Sequence, residues 1–378
     1  MGAFMFSMNS LLMTSILGLS EVMTGYIMVL LAVCDIVGSL IGGKLSDRYG
    51  RKRVLMTVMA IELIALAFGG YYVRTYWIIL CECVVMFCFS MFFPIIGALI
   101  TDKTQEGKRE ESFSLLFLCV NVGFALGQVI AGLIFYNYTE WIFWGQGIAT
   151  LLMMLIMGFF IEDNYVPEQK AISENSAKNR QNLLSLILKD KPLVLFLIAT
   201  IFTGYAYMQV SYMMPLQYAS FFGPEIGSKW VAALWIVNSV FCIVWSPMIL
   251  KLTKNKNEFK VIMWAAILFM IGMGSFALIN RASLAWLILV MTPVWTAGEV
   301  ILSVHNSILL GSRAEEHYRA RYQSLYEFTN GAGRMIGPVT MGYFLVGRTY
   351  ANGWALTGVL AAIAGIILYR AYKLDTKS

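Results

Sequence analysis

Runs of about twenty consecutive apolar residues recur down this chain, and few folds accommodate them. At 1.5 Å per residue, a helix needs about 20 such residues to cross a hydrocarbon core roughly 30 Å thick. The sequence offers twelve candidate runs: 2–17, 23–43, 54–72, 76–100, 113–135, 140–161, 192–214, 229–250, 260–279, 284–310, 323–346 and 354–372. Of the 378 residues 59% are hydrophobic and 13% charged, where a soluble domain carries about 25% charged. That composition excludes a soluble two-domain enzyme. Lipid admits only segments that satisfy their own backbone hydrogen bonds, so the expected fold is an all-α membrane protein with twelve transmembrane helices.

The breaks between runs carry turn residues and charge, and the charge is one-sided. Lys and Arg accumulate in cytoplasmic loops. Twenty-three of the 28 fall in one set of loops, four in the opposite set, and Arg334 lies inside a run. Both termini are therefore expected on the cytoplasmic side of a bacterial plasma membrane. The long polar connection 162–191 divides six runs from six. This gives an N-terminal six-helix bundle (1–161), a cytoplasmic linker (162–191) and a C-terminal six-helix bundle (192–378). Residues 179–191 mix Leu and Ile with Arg180, Lys189 and Lys191, which fits a helix at the membrane surface or an early start to the seventh span.

The halves repeat. A shift of 210 places Ser114-Leu115 on Ser324-Leu325, Gly123 on Gly333, Gly127 on Gly337 and Gly132 on Gly342; a shift of 207 places Lys44-Leu45 on Lys251-Leu252. Six spans separate each pair, so equivalent helices run the same way, a parallel repeat of the kind secondary transporters use. Met1 then falls on Met208, well inside the seventh run. The first span is thus expected to be shortened, with the natural reading frame starting upstream.

Other functional classes find little support. The net charge of +6 follows membrane sidedness rather than a basic stripe, so no nucleic-acid partner is expected. The six cysteines lie in apolar runs, where Cys acts as a small hydrophobe, and no metal or cofactor is implied. Gly38-x-x-x-x-Gly43-Lys44 imitates a phosphate loop, but Leu45 stands where Ser or Thr would hold magnesium. Two histidines without paired ligands or a clustered nucleophile leave no set for intramembrane catalysis.

Between the second and third runs stands Gly43-Lys44-Leu45-Ser46-Asp47-Arg48-Tyr49-Gly50-Arg51-Lys52-Arg53. Its glycines permit a tight turn, Asp47 can accept charge-assisted hydrogen bonds, and its cations stay on the positive side. The string resembles the signature of the major facilitator superfamily, G-x-L-S-D-R-x-G-R-[KR]-[KR], at every specified position. The resemblance implies two six-helix bundles rocking about a central site, with this loop as a cytoplasmic latch. Asp47 would be the anchoring carboxylate, Arg48 and Arg51 its cationic partners, and Gly43 and Gly50 the turn residues. The corresponding loop of the second half, 251–257, lacks the Asp-Arg pair and the glycines. Gly123-x-x-x-Gly127-Gln128-x-x-Ala131-Gly132 is similar to the G-x-x-x-G-P-x-x-G-G string of the drug:proton antiporter branch, departing at Gln128 and Ala131. Thr296-Ala297-Gly298-Glu299 also resembles that branch, although small residues at such spacing equally serve close helix packing.

An ionised side chain at mid-bilayer costs about 2.5–3.5 kcal/mol to insert. The charges within runs therefore require a partner, a water-filled cavity or a proton, and the coupling candidates are Asp35, Glu62, Glu299, Arg334 and Glu327. Asp35, Gly38 and Gly42 share one face of the second run. Because spans 2 and 11 meet in this superfamily, the resemblance pairs Asp35 with Arg334; a local pair of Arg334 with Glu327 is the alternative. The family's spans 1, 4, 7 and 10 surround its substrate, which nominates Asn9, Tyr205, Gln209, Tyr212 and Trp295, with Trp235 and Asn238 from span 8. Aromatic residues there suit a lipophilic cation beside Glu299. His305 reads as a satisfied polar residue. The expected protein is a monomeric secondary transporter working by alternating access, coupling protons to efflux of small drug-like molecules. Symport of a small polar solute and a transport-incompetent receptor are the alternatives.

Overall fold

The computed structural model describes residues 8–105, 108–161, 189–313 and 319–376. Regular structure among these residues is helical throughout. Helix α1 (Asn9–Leu11) continues as a π-helical turn, Leu12–Ile16. There follow α2 (Glu21–Tyr49), α3 (Arg51–Tyr71), α4 (Trp77–Lys103), α5 (Arg109–Ile134) and α6 (Glu140–Phe160). The remainder comprises α7 (Lys191–Thr253), α8 (Glu258–Gly274), α9 (Leu287–Arg313), α10 (Arg319–Leu345) and α11 (Tyr350–Asp375). The first seven residues, and nearly all of the segment 179–191 expected at the membrane surface, lie outside the described residues.

Among the described residues, eight helices are long and apolar enough to cross a membrane: α2, α3, α4, α6, α7, α8, α9 and α11. Helix α7 has 63 residues, a rod of ~95 Å if straight, about three times the hydrocarbon thickness. Gly223, at φ 78° and ψ 164°, breaks it between the runs 192–214 and 229–250. Helices α5 and α10 cover the runs 113–135 and 323–346, and α10 is much the less apolar of the two. Helix α10 carries Gln323, Glu327, Asn330 and Arg334.

The chain forms two compact units, one of Met1–Pro167, Val210–Val240 and Pro338–Tyr343, the other of Glu168–Gln209, Phe241–Gly337 and Phe344–Ser378. In the first unit, α2 packs on α4 along the face that carries Gly38 and Gly42. A Cβ on Gly42 would stand 2.8 Å from Met91 Cα, and one on Gly38 would strike Phe87 O and Ser90 Oγ. Val54, Leu55, Met59, Met91, Ile95 and Met157 fill the core between α3, α4 and α6. Close approaches of Gly25 to Pro338 and of Gly132 to Ala232 show how two later segments come to belong to this unit. Polar contacts accompany them: Ser228 Oγ donates to Gly132 O at 3.3 Å and the Tyr212 hydroxyl to Glu21 O at 2.7 Å.

In the second unit, α8 packs against α9 and α11, with Gly272 admitting Trp295 and Gly274 admitting Gly358. Four helix ends converge on Arg313. Its guanidinium donates to both oxygens of Asp190, at 2.9 and 2.8 Å, and pairs with Asp375, while Asn257 donates to Asp375 at 2.6 Å. Asp190 and Asn257 also cap α7 and α8 by accepting from Leu193 N and Lys260 N, so each short polar side chain serves two ends.

Two glycines of α2 separate packing from propensity. Gly38→Ala should lower the thermal unfolding temperature in detergent, reflecting about 1–3 kcal/mol of overpacking. Gly43→Ala, whose Cβ would meet nothing within 4 Å, should leave that temperature unchanged or raise it, since Ala is favoured over Gly in a helix by about 0.5–1 kcal/mol.

Candidate functional site

The second unit gathers an acid, a phenol, a thiol and a guanidinium in otherwise apolar sequence. The Tyr207 hydroxyl, from the first limb of α7, donates to Glu299 Oε1 at 2.9 Å. The Cys242 thiol, from the second limb, donates to Glu299 Oε2 at 3.9 Å. The Arg334 guanidinium of α10 lies 5.0 Å from the centroid of the Tyr207 ring, within cation–π range. Trp295, one turn before Glu299 on α9, meets the same ring edge-on at 6.2 Å. Tyr207 and Glu299 are half-buried and Arg334 is exposed, whereas Trp295 is buried.

Local sequence explains why α9 holds Glu299 in place. Gly298 lets α8 approach, since a Cβ there would stand 2.8 Å from the Phe269 ring. On the other side the Trp245 indole of α7 donates to Pro293 O at 2.9 Å. The carboxylate thus receives two neutral donors, and a fixed cation sits across one aromatic ring. Such a group can gain or lose a proton without losing its scaffold, because the phenol and the thiol each accept as well as donate.

The residues nominated from sequence for the cavity are all buried: Asn9, Tyr205, Gln209, Tyr212, Trp235, Asn238 and Trp295. Tyr205 and Gln209 pack against α10, where a Cβ on Gly337 would stand 2.8 Å from Gln209 Nε2 and 3.5 Å from Tyr205 O. Trp235 meets Phe124 edge-on at 5.4 Å. Tyr207 escaped notice because it lies about 200° around the helix from Tyr205, off the stripe 205–209–212. The signal that could have found it was the need of Glu299 for a donor.

The remaining coupling candidates are spread over both units. Glu62 is buried in the first unit and accepts from Gln146 Nε2 at 3.3 Å. Asp35 is exposed on α2. Glu327 is exposed and accepts from Gln323 Nε2 at 3.0 Å. Both ring nitrogens of His305 are engaged, Nδ1 with Glu258 Oε2 at 2.6 Å and Nε2 with Thr253 Oγ1 at 2.9 Å.

In the basic string between α2 and α3, the turn falls to Gly50 alone, at φ 93° and ψ 139°. Gly43, expected as a second turn residue, lies inside α2, because the helix keeps its hydrogen bonds as far as Tyr49. Arg48 lies over the Tyr49 ring at 5.3 Å and Arg51 opens α3; the Asp47 side chain lies outside the described residues. Lys52 has a role that its sequence position did not suggest. Its Nζ donates to Gly158 O at 3.0 Å and to Ile161 O, capping the carbonyl end of α6, where the helix dipole favours a cation.

The family model for the Major Facilitator Superfamily matches residues 1–338. The chain belongs to this superfamily. It is accordingly a multi-pass membrane transporter and not an enzyme. A "Na(+), Li(+), K(+)/H(+) antiporter" of Planococcus maritimus is 23% identical, the match covering 94% of this chain and 89% of that protein. "Multidrug resistance protein MdtH" of Cronobacter sakazakii is 24% identical over 96% of this chain and 89% of its own. Among solved structures, the nucleoside transporter NupG superposes with a TM-score of 0.78 at 14% identity, covering 98% and 95% of the two chains. A POT family transporter in complex with 5-aminolevulinic acid gives 0.75 at 13%, covering 97% and 92%. At these identities the structural likeness speaks for the fold.

Within this superfamily member, Tyr207→Phe should keep the ring under Arg334 and delete only the hydrogen bond to Glu299. A hydrogen bond to a charged group contributes about 1.5–3 kcal/mol, so transport in proteoliposomes should fall ~10- to 100-fold with the unfolding temperature little changed.

Proposed function

We propose that this transporter exchanges protons for small drug-like molecules, organic cations foremost, by alternating access. Twelve spans form two bundles, 1–161 and 192–378, joined by the linker 162–191, with both termini in the cytoplasm of a bacterium and a monomer as the working unit. The arrangement around Glu299 carries this reading. A carboxylate held by neutral donors, with a cation one ring away, can trade a proton for a positively charged substrate at modest electrostatic cost. The faces of Tyr207 and Trp295 would hold the apolar part of such a substrate.

The names of the relatives support the reading: one is called a cation/H+ antiporter, another a multidrug resistance protein. Protonated Glu299 would release the substrate, and the deprotonated form would attract the next. Arg334 keeps the site from holding an uncompensated negative charge between these events. The basic string would act as the cytoplasmic latch through Asp47, Arg48 and Arg51, with Gly50 as its turn.

Glu299→Gln should reduce pH-gradient-driven efflux of a fluorescent organic cation from proteoliposomes to the background rate, while exchange of internal for external substrate continues. Efflux that still follows the pH gradient in this variant would refute the role of Glu299.

A further inference from the structure

A second polar cluster lies in the first unit, remote in sequence from Glu299 and unused by the mechanism above. Helices α3 and α6 pack closely here, with Phe143 against Gly69 and the Trp144 indole donating to Ala67 O at 3.4 Å. Between them Glu62 is 3% exposed, and Gln146 and Thr150 are both 0% exposed. Gln146 and Thr150 are four residues apart and share one face of α6. The surroundings are apolar: Val58, Met59, Ala65 and Leu66 are the buried residues of α3 around Glu62, and Cys88 of α4 is buried in the adjoining core.

Three features of this cluster point in one direction. First, oxygen acceptors outnumber donors. Among the described residues, Gln146 Oε1 and Thr150 Oγ1 have no hydrogen-bond partner, a costly state for buried polar atoms. Second, the carboxylate is loosely held. Its bond from Gln146 Nε2 measures 3.3 Å, whereas a donor to an ionised carboxylate ordinarily comes to about 2.7–2.9 Å. Third, no Lys, Arg or His side chain among the described residues bonds to Glu62, so none of these side chains supplies the counter-charge that a buried carboxylate calls for.

We infer that Glu62, Gln146 and Thr150 form a binding site for a small monovalent cation of the sodium or lithium class. Carboxylate, amide and hydroxyl oxygens are hard donors, suited to hard cations. One carboxylate and one monovalent ion make a neutral cluster, which the bundle interior accepts, while a divalent ion would leave a net charge there. The Gln146 amide can turn about its last torsion, whose profile is broad and two-fold, and so present its oxygen beside the Glu62 carboxylate. Thr150, one turn along α6, supplies the third oxygen and can direct its proton away from the ion. The site sits within a single bundle, between α3 and α6, so its occupancy acts on that bundle's packing rather than on the Glu299 cluster.

The test uses the full chain purified in detergent, with thermal unfolding followed in sodium, lithium or choline chloride at equal ionic strength. A ligand that binds only the folded state raises the unfolding temperature in a saturable way, and a rise of ~3 °C or more in sodium or lithium over choline is expected. Glu62→Gln and Thr150→Val, both close to isosteric, should abolish the difference between salts, and Glu299→Gln should retain it. If Glu62→Gln does not fold, Thr150→Val decides alone. The inference is overturned if the wild type unfolds at the same temperature in all three salts. It is overturned equally if Thr150→Val keeps the full sodium or lithium effect, or if Glu299→Gln removes it. The Glu299 reading stands or falls separately, on gradient-driven efflux.

Discussion

No water is at hand in a hydrocarbon core to solvate a stray polar group, and this one constraint shapes the chain from backbone to site. Backbone groups meet it by forming helices, and helix ends meet it with side-chain caps. Asp190 and Asn257 cap α7 and α8 and also take part in the Arg313–Asp375 cluster. The same demand explains why breaks fall on glycine. Gly50 and Gly223 turn the chain at positive φ, a conformation that other residues adopt only with strain.

Side-chain polarity is handled in two distinct ways. Around Arg313 the charges pair directly, and such contacts join helix ends firmly. Around Glu299 a phenol and a thiol donate, and the guanidinium of Arg334 faces the ring of Tyr207. Direct pairing would fix a carboxylate in its ionised form; neutral donors leave both protonation states available. The contrast separates charge pairs that join helix ends from a carboxylate that takes a phenol and a thiol as donors within the same unit.

Much of the architecture could be read from sequence because apolar runs report burial in lipid directly. The runs 54–72, 76–100, 140–161 and 260–279 correspond to α3, α4, α6 and α8 within a few residues. The glycine face of the second run was likewise evident, since i, i+3, i+7 spacing specifies a helix stripe, and it does meet α4. The functional side chains were harder. Helical periodicity shows which residues share a face but not which face meets which helix, so the stripe Tyr205, Gln209 and Tyr212 drew attention and Tyr207 did not. An acid such as Glu299 stands out in an apolar run; its phenol and thiol partners do not, because Tyr and Cys are ordinary residues of such runs. Gly43 misled for a different reason: a motif shared by a family marks a position without stating whether its glycine turns the chain or simply lies in a helix.

The lysine that caps α6 separates two properties of the basic string usually taken as one. Charge in loops of this kind orients membrane proteins during insertion, and any cation serves that end. The contact of Lys52 with Gly158 and Ile161, in contrast, depends on a slender side chain reaching two carbonyls at one helix terminus. Total charge and its exact address are thus independent variables, one read by the insertion machinery and the other by the folded bundle.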